Sequence, residues 1–95
     1  MRIDRIICPE LIAEKIEVKH QLRVQDARYV LYHAGRIRFA EKGHVQGEDV
    51  YAAFGQAIGG YYIVVFFVYK ADTTTAIIIS ARAMSDKERA AYGRK

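Results

Sequence analysis

The side chains that could do chemistry in this chain are few: three histidines, one cysteine, and lysines and arginines gathered toward the two ends. His20, His33 and His44 show no spacing with Cys, Asp or Glu that resembles a metal site, so neither a metal nor another cofactor is expected. Cys8 has no activating neighbour and reads as a small core residue. Being the single cysteine, it excludes an internal disulfide framework and fits a reducing compartment. For His20 two readings stand: an imidazole bonding the last carbonyls of a helix, or a functional group at a site. Arg82 likewise either pairs with Glu88 or Asp86 as scaffold or binds a phosphate. Glu88 is better explained as part of a helix cap, and Tyr92 as packing on a sheet.

The cations are unevenly placed. Residues 1–47 hold nine Lys or Arg against six Asp or Glu, residues 48–81 one against three, and residues 82–95 five against two, for a net charge of +4. If the two basic ends lie together they form a surface suited to RNA, DNA or an acidic protein. A soluble helical surface rich in Lys and Arg is the plainer reading, because an excess of four is small.

What must position these groups is a sheet. Tyr61 to Tyr69 is an apolar run of nine residues. That is well short of the roughly 20 needed to cross a bilayer as helix, and it is rich in β-branched and aromatic residues. Thr75 to Ala81 is its partner. With 95 residues and about half of them apolar, the chain makes one domain. There is no apolar leader at Met1 to Cys8, and a cytoplasmic protein is expected.

In order, residues 2–8 read as a weak strand, and Pro9 opens a helix running to His20, with Leu11, Ile12 and Ile16 on one stripe. A second helix spans Val24 to Ala34, stopped by Gly35. Arg36-Ile-Arg-Phe-Ala-Glu41 alternates charged and apolar residues, a strand with one wet face. Asp49 to Ile58 is the next strand. Gly59-Gly60 then predicts a two-residue hairpin, with Ile58 facing Tyr61, Val50 facing Tyr69, Ala53 facing Phe66 and Asp49 paired with Lys70. Ser85-Asp-Lys-Glu88 is a capping box that starts a helix to Tyr92, ended by Gly93. The fold class is α+β: a helical pair, a four-stranded antiparallel meander and a short C-terminal helix, preceded by the weak strand. Tyr61 to Tyr69 and Ala76 to Ile79 are apolar on both faces, so the second sheet face or edge is expected to be covered by another protomer or a partner protein. The weak strand and the last helix could instead share the covering.

Lys19-His20 seven residues before Ala27, the acidic pair Glu48-Asp49 heading a strand, the apolar hairpin strand, and Ile79-Ser-Ala-Arg82 followed by Glu88-Arg89 and Tyr92 together resemble the BrnT family of bacterial toxins. The resemblance covers most of the chain. It implies a small RelE-like fold and a helix opened by the Lys-His pair. It also implies a type II toxin-antitoxin ribonuclease that arrests growth by cutting RNA, and a cognate antitoxin that neutralises it. The antitoxin of such pairs carries a DNA-binding segment, and the complex represses its own operon. Cutting RNA without a metal needs a group to take the 2′-hydroxyl proton, cations for the phosphorane and a donor for the leaving oxygen. The family-like positions offer Lys19, His20, Lys70 and Arg82 as catalytic cations or proton carriers. Glu48, Asp49, Arg89 and Tyr92 are offered as substrate-binding or orienting groups. There are departures. Gln21 and Arg23 stand where the family usually has Gly and Ser, and Val50, Lys70 and Ala76 where it usually has arginine. A non-catalytic relative that binds the antitoxin or nucleic acid is therefore the alternative expectation.

Overall fold

The computed structural model describes residues 1–33 and 36–93. The chain runs β1 (Arg5–Ile7), α1 (Glu10–His20), α2 (Val24–His33), β2 (Arg36–Glu41), β3 (Val50–Gln56), β4 (Tyr62–Lys70), β5 (Thr75–Ala83) and α3 (Asp86–Gly93). The predicted helix end at Ala34 and Gly35 lies outside the described residues. The sheet order is β1-β5-β4-β3-β2, with β2 to β5 forming the expected antiparallel meander. The weak N-terminal strand adds a fifth member, parallel to β5, so the sheet is mixed. Side chains explain why so short a strand holds. The Thr74 hydroxyl donates to the Asp4 carboxylate and the Tyr69 hydroxyl to the Arg2 carbonyl, each at 2.6 Å, while Arg28 of α2 donates to the Ile6 carbonyl at 3.0 Å.

Both helices of the pair lie on one face of the sheet. Alternation along β4 sends Ile63, Val65 and Phe67 into the core, where they meet Ile16 of α1 and Ala27, Val30 and Leu31 of α2. β5 joins them through a bulge: Phe66 pairs with Ser80 and Phe67 with Ile78, so Ile79 is the extra residue and both Ile78 and Ala81 are buried. Gly55 is a close-approach position, since a Cβ there would come within 3.0 Å of Val30 Cγ1. The stripe predicted on α1 is narrower than expected. Ile16 is buried and Ile12 half-buried, but Leu11 is 73% exposed.

The β3–β4 hairpin departs from the two-residue turn. Its loop is Ile58-Gly59-Gly60, closed by a bond from the Ala57 N–H to the Tyr61 carbonyl at 2.8 Å, with Gly60 at φ +92°. The pairing therefore slips by one residue: Val50 faces Val68 and Ala53 faces Val65. Burial favours this register, because paired residues share a face. Ala53 is buried against the helices and so needs Val65, which is buried there too, not Phe66 on the other side. The predicted Asp49–Lys70 pair is lost with it.

On the second face α3 supplies part of the cover the apolar strands demanded. Val64 is fully buried, while Val50, Phe66 and Val68 remain half-buried.

Candidate functional site

The registers of three strand pairs place residues of four strands in one straight row across the second face: Arg36, Phe54, Val64 and Arg82. Beside it runs Arg38, Ala52, Phe66 and Ser80. The two rows lie two residues apart along each strand, so both point to the same side. Arginines thus stand at the β2 and β5 ends of an apolar, partly aromatic floor.

α3 lies over this floor. Arg82 reaches it with a two-pronged bond to Glu88, at 2.7 and 2.9 Å, and its guanidinium sits 5.4 Å from the Phe66 ring centroid. Glu88 also accepts the Ser85 N–H at 2.8 Å while its own N–H donates to Ser85 Oγ at 3.1 Å, so the predicted capping box forms. The Arg82 bonds, above all, hold the Glu88 carboxyl down to about 2, and Glu88 in turn raises the pKa of Arg82. Arg89 stacks over Tyr62 at 4.2 Å, Tyr92 meets Tyr62 edge-on at 6.1 Å, and Arg36 donates to the Ala91 carbonyl at 3.3 Å. A small hollow of about 70 Å³ remains between Arg36, Arg38, Phe54, Glu88, Ala91 and Tyr92. The Arg38 side chain is exposed and makes no hydrogen bond or ion pair among the described residues.

Lys19 and His20 sit off the edge of β5. They close α1, so they do not open a helix as the resemblance implied; the chain turns at Gln21, which takes a left-handed φ of 55°. Beyond Ile77, where β1 stops, this pair lines a cleft with Ile79 and Ser80, and His20 lines a second hollow with Ala83. Lys19 and His20 therefore flank the outer edge of β5, while Arg82 projects from the second face of the same strand and lines neither hollow.

Lys70 and the acidic pair occupy the opposite end. Lys70 Nζ lies 3.0 Å from Glu48 Oε2, and Asp49 accepts the Gly43 N–H at 3.1 Å inside the β2–β3 loop. Along β4, Lys70 is six residues from Val64, the cross-strand partner of Arg82. At the strand rise that is about 20 Å. Of the predicted set, Arg82, Arg89 and Tyr92 meet at α3 and the second face, Lys19 and His20 line the outer edge of β5, and Lys70, Glu48 and Asp49 stand apart. Ala76 is fully buried on the helix side, so an arginine at that position would point into this core.

Arg36 and Arg38 were not among the sequence candidates. Their signal was the charged and apolar alternation of β2, which marks a wet face; only the strand order shows that this face is the one Arg82 shares.

Fold and site together define a class: a small α+β domain whose second sheet face collects guanidiniums under a C-terminal helix, a surface suited to a polyanion. Residues 13–88 match the family described as the ribonuclease toxin, BrnT, of type II toxin-antitoxin systems, and the chain belongs to that family. Membership implies a cognate antitoxin. The match ends at Glu88, leaving Arg89 and Tyr92 beyond it. No curated protein matches the chain. No described helix is long and apolar enough to cross a membrane.

Proposed function

We propose that this chain is an endoribonuclease that cleaves RNA without a metal at the outer edge of β5, acts in the cytoplasm and is neutralised by its antitoxin. In the reaction the 2′-oxygen forms a bond to the adjacent phosphorus while the bond to the 5′-oxygen breaks. The 2′-hydroxyl proton passes to a base and the departing 5′-oxygen gains one, leaving a 2′,3′-cyclic phosphate and a 5′-hydroxyl. Family membership supports the reaction class. The observation that supports the site is that Lys19 and His20 line hollows along the outer edge of β5 with Ile79, Ser80 and Ala83, on the strand whose second face carries Arg82. His20 and Lys19 are suited to the proton transfers, and Arg82 to the charge that builds on the phosphorane oxygens. Its fork fits a phosphate as it fits Glu88.

The test is cleavage of RNA by purified protein in excess EDTA, with the product ends identified. Cyclic phosphate ends, and a loss of at least about 100-fold in Arg82→Ala and His20→Ala, are expected. Growth arrest on induced expression, relieved by the same substitutions, goes with it. The competing reading is a non-catalytic relative that serves as a binding partner of the antitoxin or of nucleic acid. One observation favours it: Arg82 and Lys70 are both already paired, with Glu88 and Glu48. Intact RNA and full growth at high expression, with the antitoxin still co-purifying, would establish that reading.

A further inference from the structure

We infer that Arg36 and Arg38 of β2 are RNA-positioning residues, holding phosphates upstream or downstream of the one at Arg82 on a track that crosses the sheet perpendicular to its strands. The inference rests on the ribonuclease reading above and names how the substrate is held. Arg36 and Arg82 close the two ends of one cross-strand row. Three strand spacings separate them, about 14 Å. Between them the floor is Phe54 and Val64, with Phe66 in the neighbouring row.

The charge on this track is largely uncompensated. Arg82 is neutralised by Glu88, but among the described residues the Arg36 guanidinium bonds only a neutral carbonyl and the Arg38 side chain has no hydrogen-bond or ion-pair partner. Cations at the ends of an aromatic floor suit a single-stranded nucleic acid, whose bases stack while its phosphates pair. An acidic protein segment would use the arginines but have no need of the aromatic floor. The track also has a direction. It begins at the β2 edge of the sheet and ends at β5, where Lys19 and His20 lie just beyond the strand. α3 covers the middle without burying any of its described residues, so a strand of RNA reaches the floor by lifting this one short helix, at the cost of the Arg82–Glu88 pair, the Tyr62 contacts of Arg89 and Tyr92 and the Arg36 bond to Ala91.

The experiment is equilibrium binding of a short single-stranded RNA made uncleavable by 2′-O-methylation, over a salt series, with wild type, Arg38→Ala, Arg36→Ala and Arg36→Lys. Each lost phosphate contact should weaken binding about five- to tenfold and lower the slope of log K against log salt by about 0.7, whatever the RNA sequence. Arg36→Lys should keep most of the slope. On cleavable RNA, KM should rise in the alanine variants with kcat nearly unchanged. Arg38→Ala removes no intramolecular bond, so its melting temperature should match wild type and its binding defect cannot come from unfolding. If wild type binds and cleaves RNA but the Arg36 and Arg38 variants do so equally well, this inference fails and the ribonuclease reading stands. If wild type neither binds nor cleaves RNA, both fall. Binding of a poly-glutamate peptide that depends on Arg38, with no RNA binding, would assign the track to an acidic protein and overturn the inference.

Discussion

Arg82 and Glu88 face one another through two nearly parallel hydrogen bonds, 2.7 and 2.9 Å long, and this pair joins the last strand to a helix that buries none of its described residues. The same carboxylate caps the helix through the Ser85 N–H. Glu88 thus fills the fork of the arginine that the ribonuclease reading assigns to a phosphate, as an internal anion. Substituting Glu88→Gln should keep an oxygen for the cap but remove the charge. We expect a cost of about 1 kcal/mol, because charge-assisted pairs are the stronger ones and this one is partly solvated. RNA affinity should rise a few-fold as the guanidinium is released. Amide exchange along α3 and RNA titration check this; slower exchange, or weaker binding by the variant, would refute it.

The pair also sets a pH dependence. Glu88 titrates near 2 in the folded chain, chiefly because of Arg82, against 4.5 as its ordinary value. A depressed folded pKa gives stability that is complete above the unfolded value and is lost as protons bind on the way down to the folded one. The contribution should be intact at pH 6, begin to fall near pH 4.5 and be gone near pH 2. Solvent screening keeps it near 1 kcal/mol. Since α3 buries none of its described residues and its other contacts, through Tyr62 and Arg36, are few, the ring signals of Tyr62 and Tyr92 should shift over this window before the sheet melts. In Glu88→Gln that early transition should be absent; its persistence would place the proton elsewhere.

Two departures from the family pattern turn out to be helix-cap positions. Gln21 ends α1 in the left-handed region at φ 55°, with its N–H on the Glu17 carbonyl and that of Leu22 on Ile16. Glycine takes this conformation without the side-chain penalty. Arg23 precedes α2, and its N–H donates to Asp26 at 3.1 Å, which is half of a capping box. A serine at 23 would supply the missing acceptor. Gln21→Gly and Arg23→Ser should each stabilise the fold by about 0.5–1 kcal/mol, and together raise the melting temperature by about 5–10 °C. Thermal unfolding measures it, with cleavage unchanged in Arg23→Ser. A lower melting temperature in either variant contradicts the cap assignment.

The elements were legible wherever local chemistry decides them. The apolar run Tyr61 to Tyr69, which forms β4 with its bounds one residue later, the alternation of β2 and the Ser85–Glu88 box were all legible, because period and cap are properties of adjacent residues. The hairpin register was not, since Gly59-Gly60 suits both a two-residue turn and a three-residue loop with Gly60 at positive φ. What chose between them was the burial of Ala53 beside Val65, a tertiary fact. The site suffered most from this kind of ignorance. Arg36 lies 46 positions from Arg82, and only the sheet order β5-β4-β3-β2 brings their rows together.

Lys70 shows how far placement can separate residues grouped by their chemistry. It shares a face with Arg82 but lies at the other end of β4, about 20 Å away at the strand rise, further than two extended side chains can bridge to one phosphate. Its ammonium is held by Glu48 at 3.0 Å, with both side chains more than a third exposed or nearly so. Such a pair is worth about 0–1 kcal/mol. Lys70→Ala should therefore lower kcat by less than about threefold, while Arg82→Ala lowers it by about 100-fold or more. Its effect belongs in KM and in the salt dependence, as expected of a cation that meets RNA away from the scissile bond. A kcat loss in Lys70→Ala equal to that in Arg82→Ala would mean that the two cations act on one phosphate. It would also require the strand to bend in a way the paired registers of β4 and β5 do not show.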